Sequence, residues 1–195
     1  MTRGIITAMP HAHRLPEPPR RAVGLTLPFR LCLALALSTP LQANAASLSA
    51  KDAMIIVKAL GFLEPAPAGG VVAILYGPGN ASKADAVDIA GLFGSGLTSS
   101  GGTVTAKPVD QAGLGDGAGY IAVIVAAGGS TDAAMAAAKA HNIPCVTEAL
   151  TDVQAGHCVM SVQTDPRVVI TVNRAVAQAV GVHFAAALAM LIHEI

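Results

Sequence analysis

Two glycine-containing turns are the parts of this chain whose composition could bind a ligand. One is Gly-Pro-Gly-Asn-Ala-Ser at 77–82, and the other is Ala-Gly-Gly-Ser-Thr-Asp at 127–132. Each turn lies between an apolar run and a helical pattern, and helix N-termini attract anions. The candidate ligand-loop residues are Gly77, Gly79, Asn80, Ser82, Gly128, Gly129, Ser130 and Thr131. A dinucleotide fingerprint needs a third glycine and a P-loop needs Gly-Lys-Ser/Thr, so ordinary strand-to-helix turns remain the alternative interpretation.

Motifs for catalysis or for metal binding are not recognisable in the rest of the chain. No two of the histidines that follow residue 45 have the H-E-x-x-H spacing; they are His141, His157, His183 and His193. Gly94-Ser95-Gly96 lacks the G-x-S-x-G nucleophile elbow, and the carboxylates form no paired motif. The sequence therefore predicts a protein that is not an enzyme and that has no cofactor and no resident metal.

The composition excludes two further classes. Charged residues make up 12% of the 195 residues and the hydrophobic class 53%, whereas average proteins carry about 25% charge. This balance excludes a disordered chain and a nucleic-acid binder with a basic face. The formal net charge is zero, but residues 1–45 contain five arginines and one acidic residue. The remainder is therefore acidic.

The elements that would position the two turns are strands and helices in alternation. The uniformly apolar runs 71–76 and 120–127 predict strands buried on both faces. Each is followed by a helix: Ser82 is the predicted N-cap of the first, and the second is predicted to start at Thr131-Asp132. The alternation in 103–109 predicts a strand with an exposed face or at an edge of the sheet, since Pro108 cannot donate to a ladder. Ser49 could cap a first helix, although the run 54–57 also fits a buried strand.

The second half of the chain predicts a strand at 143–147 and then a hairpin. The strands 157–162 and 168–172 are joined by Asp165-Pro166, a pair that favours a turn. A helical region interrupted near Gly181 follows from residue 173 to the end. Together the elements predict an α/β fold: a three-layer sandwich with a mostly parallel central sheet, a C-terminal β-hairpin and terminal helices.

The first 45 residues have the organisation of an export signal. A basic region ending at Arg30 precedes the apolar run 31–37, which is shorter than the roughly 20 residues that span a bilayer. Pro40 and the small-x-small pattern Ala43-Asn44-Ala45 follow, as in a secretory signal peptide. We expect cleavage after Ala45 and a periplasmic domain at 46–195. The sequence leaves open whether the Sec or the twin-arginine route is used, and where translation starts.

Two cysteines remain after that cleavage, Cys145 and Cys158. An oxidising compartment favours their pairing, and the loop between them is long enough to return the chain beside its own start. Two buried free thiols are the first alternative. The second is a metal site shared with His141 and His157, which would supply four ligands.

The end of the chain resembles the YfiR family. Residues 167–191 contain a strand leading to Asn173, an alanine-rich turn of helix, a Gly-hydrophobic step at Gly181 and a further helical stretch. The segments 143–147 and 155–160, and the opening pattern 51–58, also lie where that family has equivalent elements. The similarity spans nearly all of residues 50–195.

This resemblance implies a small exported α/β protein that regulates a membrane signalling system. In the best-known members of the family the partner is the periplasmic domain of an inner-membrane diguanylate cyclase, and the pathway is cyclic di-GMP signalling. We therefore expect a non-enzymatic regulator without nucleic-acid partners. The alternative is a small periplasmic solute-binding module that uses the two glycine turns. The sequence identifies neither partner nor ligand, and it leaves a homodimer open.

Overall fold

The computed structural model describes residues 47–195, so the predicted signal peptide lies outside the described residues. Eight strands form one sheet in the order β2-β3-β1-β4-β5-β6-β7-β8. The strands are β1 (Gly70–Tyr76), β2 (Leu97–Ser99), β3 (Gly102–Asp110), β4 (Tyr120–Val125), β5 (Cys145–Thr147), β6 (Met160–Gln163), β7 (Val169–Val172) and β8 (His193–Glu194). The helices are α1 (Ala50–Leu60), α2 (Asn80–Gly91), α3 (Thr131–His141), α4 (Leu150–Gln154), α5 (Arg174–Val180) and α6 (Ala186–Ala189).

The middle of the sheet is parallel, as the sequence predicted. The strands β3, β1, β4, β5 and β6 run in one direction. Residues 72–75 of β1 and 122–124 of β4 are completely buried, which is why their sequences read as uninterrupted apolar runs. Strand-helix-strand crossovers are right-handed, and α2 and α3 lead in opposite directions along the sheet. These two helices therefore cover opposite faces, and the three-layer α/β fold is confirmed.

Each side of the sheet contains one antiparallel pair of strands. The short β2 pairs with only the first three residues of β3, so Pro108 lies where β3 has no partner on its outer side. At the other margin, β6 and β7 form the predicted antiparallel hairpin through residues 160–163 and 169–172. β8 then pairs in parallel with β7 and ends the sheet.

The opening segment is a helix, which decides between the two interpretations of the sequence. Ser49 and Asp52 form a reciprocal capping box: Ser49 N donates to Asp52 Oδ2 at 2.8 Å, and Asp52 N donates to Ser49 Oγ at 3.2 Å. Ile56 and Leu60 lie on the buried face, whereas Met54 is 47% exposed. This distribution has the helical period and not the period of a strand.

The predicted cap of the second helix is wrong. α2 begins at Asn80 with Gly79 as its N-cap, and Ser82 lies inside the first turn. The Ser82 hydroxyl is turned back toward the preceding loop, where it accepts a hydrogen bond from Gly77 N at 2.9 Å. By contrast, the predicted start of the third helix is close to the observed one, because Ser130 caps α3 through Ala133 N at 3.2 Å.

The sequence missed three short elements. β2 lies in the glycine- and serine-rich passage 94–102, and α4 lies in the predicted loop 148–156. The predicted C-terminal helical region is also partly wrong: after α5 and α6 the chain ends in β8 rather than in a helix. The reason is pairing, because His193 and Glu194 are in register with Thr171 and Val172 of β7.

The two cysteines form a disulfide bond, as predicted. Cys145 of β5 and Cys158, just before β6, have Cα atoms 5.1 Å apart, within the range that a bridge requires. Both are fully buried, and Val159 N donates to Cys145 O at 3.1 Å beside the bridge. The bond joins the hairpin to the parallel part of the sheet and is compatible with an oxidising compartment. This geometry favours the bridge over the free-thiol and metal alternatives.

Within residues 47–195 no helix is both long enough and apolar enough to cross a membrane.

Candidate functional site

A pocket of about 480 Å³ opens at the carboxyl ends of β4, β5 and β6. Its walls come from residues 125–129 and Thr131 after β4, residues 147–149 and Asp152 after β5, and residues 162–165 at the end of β6. Ser47 and Asp52 close it on the side of α1. Ligands of open parallel sheets bind outside the carboxyl ends of the strands, and the volume is typical of small-molecule sites.

The structure divides the predicted ligand-loop residues into two groups. Gly128, Gly129 and Thr131 line the pocket. The remaining predicted residues do not line it; they are Gly77, Gly79, Asn80, Ser82 and Ser130. The two glycine turns are nevertheless neighbours, because a Cβ atom placed on Gly77 would lie 2.0 Å from Gly128 O.

The close approach of these turns explains why the pocket is displaced from the switch point of the sheet. That point lies between β1 and β4, where the chain direction across the sheet reverses. There the turn after β1 packs against the turn after β4, with Gly77 N bonded to Ser82 Oγ. The Asp85 carboxylate of α2 accepts a hydrogen bond from Ala127 N at 2.9 Å. The crevice is therefore filled, and the opening lies over β4, β5 and β6.

The ionisable side chains that line the pocket are all acidic. They are Asp52, Glu148, Asp152 and Asp165. The nearby Lys51 directs its ammonium group at a backbone acceptor, since Lys51 Nζ lies 3.3 Å from Thr164 O. This lining disfavours an anion, so the interpretation of the glycine turns as a phosphate site receives no support from the geometry.

Glu148 is the most perturbed carboxyl group of the site. Burial, followed by the negative charges of Asp85 and Asp52, raises its pKa to about 7, although a hydrogen bond from the Leu48 backbone opposes the shift. Glu148 Oε1 is buried and has no hydrogen-bond partner. A pocket carboxyl group with such a raised pKa marks a candidate functional group.

Asp52 shows how hydrogen bonds reverse the effect of burial. Burial alone would raise its pKa, but donors from Ser49 and Thr164 and the positive charge of Lys51 together hold the pKa of Asp52 below the ordinary value. Its second oxygen, Oδ1, is buried and unpartnered like Glu148 Oε1. When the carboxyl groups share one site, the group with fewer donors retains the proton; here that group is Glu148.

The histidines do not take part in this site. His141 lies at the end of α3, where its Nε2 is 3.3 Å from Asp116 Oδ2, and His157 and His193 are exposed. His141 and His183 border a second cavity of about 510 Å³ near the amino end of β4. Among the described residues, no group of three or more histidine, cysteine, aspartate or glutamate side chains is placed to hold a metal ion.

The sequence did not single out the carboxylates that dominate the pocket. Asp52, Asp85 and Glu148 are far apart in the chain and belong to no ligand-binding motif. One signal was available for Glu148, because it directly follows the strand predicted at 143–147. Its position therefore placed it at the same sheet edge as the glycine turns.

Comparisons with protein-family models and with curated proteins found no match to this chain.

Proposed function

We propose that this domain is an exported, non-catalytic binding protein that holds a small solute in the pocket over β4, β5 and β6. The observation that supports the proposal is the pocket itself: about 480 Å³ at the sheet edge where α/β proteins bind ligands. Periplasmic location, with cleavage after Ala45, is part of the proposal. The buried Cys145–Cys158 disulfide supports it, since such bonds persist in oxidising compartments.

The lining limits the chemistry of the solute. Apolar walls from Val125 and Val162 lie beside the hydroxyl groups of Thr131 and Thr147 and several carboxylates. Hydroxyl and carboxylate oxygens accept hydrogen bonds, so the solute is neutral or positively charged and carries donors. Amines, amino acids and sugars are the classes to test first.

We expect a solute of this kind to raise the melting temperature. Binding at 100 times the dissociation constant stabilises the native state by about 2.7 kcal/mol, which corresponds to a rise of roughly 5–10 °C for a domain of this size. The measurement is a thermal-shift screen with neutral sugars, amino acids and simple amines as probes. Ala127→Phe should abolish the shift, because Ala127 is an exposed lining residue and a phenyl ring there fills the pocket.

The matched control is Val87→Phe, which adds the same ring at a position on α2 that is 48% exposed and outside the lining. It should retain the full shift. The proposal fails if no probe stabilises the protein, or if the Ala127→Phe variant responds as the wild type does. Turnover of any probe would show a catalyst instead of a binder.

A second candidate function is regulation of a membrane signalling protein. It rests on the resemblance to the YfiR family and on an apolar surface patch, defined here as Val168, Met190 and Leu191. Their exposed fractions are 46%, 84% and 67%. In the chain, these residues lie just before the paired segments of β7 and β8 at the margin of the sheet. Exposed apolar patches commonly mark protein interfaces.

The partner we propose is the periplasmic domain of an inner-membrane protein of the cyclic di-GMP pathway. We expect Met190→Glu to abolish its recovery in a pull-down from membranes, because the carboxylate would be buried against apolar surface. Val87→Glu is the matched control and should leave recovery intact. Failure to recover an inner-membrane signalling protein, together with unchanged cyclic di-GMP on deletion of this protein, contradicts the proposal. A dimer that is lost in the Met190→Glu variant would assign the patch to self-association.

A further inference from the structure

The segment that leads into α1 lies against carboxylates from three separate parts of the fold. We call this segment, residues 47–49, the strap. Ser47 Oγ donates to Asp85 Oδ1 of α2 at 2.9 Å, and Ser49 N donates to Asp52 Oδ2 of α1 at 2.8 Å. Between these two residues, the Leu48 backbone is near enough to Glu148, after β5, to lower the pKa of that carboxyl group. The strap is therefore bonded to two carboxylates and lies beside a third.

The strap also forms part of the pocket wall. Ser47 lines the pocket beside Glu148 and Asp52. The Leu48 side chain is only 6% exposed and belongs to the hydrophobic core. Movement of the strap would thus open one side of the pocket and would bring water to the carboxylates beneath it.

The carboxylates of Asp85, Asp52 and Glu148 accept different numbers of hydrogen bonds. Asp85 accepts from Ser47 Oγ and from Ala127 N, and Asp52 accepts from both the backbone and the hydroxyl of Ser49. Glu148 accepts no hydrogen bond of comparable geometry, and its Oε1 is buried without a partner. Ionising this carboxyl group is costly because that oxygen is neither solvated nor paired.

Among the described residues, no cationic side chain compensates Glu148. The charged groups that the neighbouring elements bring to this pocket are Asp52 and Lys51 of α1, Asp85 of α2, Asp152 of α4 and Asp165 of the β6–β7 turn. The single cation, Lys51, is engaged with the backbone oxygen of Thr164. Ionisation of Glu148 therefore places a third charge among like charges that already hold the strap.

We propose that the strap is a proton-controlled latch on the pocket, closed while Glu148 is protonated and opened when Glu148 ionises. Opening exposes Leu48 and admits water to Glu148, which relieves both the desolvation and the repulsion from Asp52 and Asp85. The latch regulates the site of the proposed function. Only its consequence for solute access rests on that function, because movement of the strap can be measured without a solute.

The direction of the pH effect follows from the raised pKa of Glu148, about 7 in the closed state. When the strap opens, solvation returns this pKa toward its ordinary value of about 4.3. The closed state then binds more protons than the open state between these two values. Closure is favoured at low pH, and it is lost as the pH rises toward 7.

The test is hydrogen exchange of the Leu48 and Ser49 amides in the full chain, expressed as protection factors so that the intrinsic pH dependence cancels. We expect protection at these two amides to fall on the order of tenfold between pH 5.5 and pH 8, since each pKa unit corresponds to a tenfold change. The amides of β4 should show no such fall. In the Glu148→Gln variant, which mimics the protonated group, protection of the strap should be independent of pH.

Two aspartate variants provide a second test that does not require the Glu148→Gln variant to fold. Asp85→Asn removes one repelling charge and keeps one side-chain oxygen as an acceptor. The closed-state pKa of Glu148 then lies lower, so strap protection should fall by a smaller factor and should level off at a lower pH. Asp165→Asn removes a pocket carboxylate that makes no bond to the strap and should leave the profile unchanged. Strap protection that is independent of pH in the wild type, or equally pH-dependent in Glu148→Gln, overturns the latch. Absence of solute binding with a normal strap profile overturns only the proposed function.

Discussion

Replacing Cys158 with serine lowers the melting temperature by roughly 6–12 °C. The bridge to Cys145 spans a sequence separation of 13 residues, and closing such a loop in the unfolded chain contributes about 3 kcal/mol in the chain-entropy model. For a domain of this size each kcal/mol corresponds to about 2–4 °C. The measurement is thermal unfolding of the variant beside the wild type, with and without reductant.

The control variant is Cys158→Ala, which removes the bond without burying a hydroxyl group at this fully buried position. Both variants and the reduced wild type should melt at similar temperatures, and reductant should have no effect on either variant. Alkylation under denaturing conditions should find no free thiol at Cys145 or Cys158 in protein directed to the periplasm. Alkylation of both thiols, or an unchanged melting temperature in Cys158→Ala, would contradict the prediction.

The centre of the fold could be predicted from the sequence because its signals are local. β1 and β4 are buried on both faces, so every position in the runs 72–75 and 122–124 is apolar. The β6–β7 hairpin is marked by the turn residues Asp165 and Pro166 between two apolar runs. In each case the residues of one short stretch are enough to indicate its conformation.

The missed elements depend instead on distant partners. β8 consists of two residues, and its conformation follows from pairing with Thr171 and Val172 more than 20 positions earlier. β2 is a three-residue strand that pairs with the start of β3, within a passage whose glycine content indicated a loop. Elements of this length have too few residues to show a period, so neither could be derived from pattern alone.

The location of the site could be predicted from the sequence, but the acidic side chains that line it could not. The glycine turn after β4 indicated the correct edge of the sheet, and Gly128, Gly129 and Thr131 do line the pocket. The charges of the site come together only through the fold: Glu148 follows β5, while Asp52 and Asp85 lie on α1 and α2. The raised pKa of Glu148 results from burial and from that convergence, and neither is a property of the local sequence.

Gly77→Ala should lower the free energy of unfolding by about 3 kcal/mol, at the upper end of the usual cost of overpacking. A Cβ atom at this position would lie 2.0 Å from Gly128 O, and a backbone oxygen cannot rotate away as a side chain could. The turn after β4 must therefore move. Because Gly128 and Gly129 form one wall of the pocket, the variant should also lose most of the stabilisation by any solute that binds the wild type. Denaturant unfolding and the thermal-shift assay measure the two effects.

Gly91→Ala is the matched control, since it adds the same methyl group at the end of α2, where no atom beyond the neighbouring residues and the backbone of the helix itself lies within 4 Å. We expect that variant to be as stable as the wild type or about 0.5–1 kcal/mol more stable, because alanine is the better helix former. If Gly77→Ala unfolds at the same denaturant concentration as Gly91→Ala, the two glycine turns are not packed against each other. The crevice between β1 and β4 would then be open, and a ligand could bind at the switch point of the sheet itself.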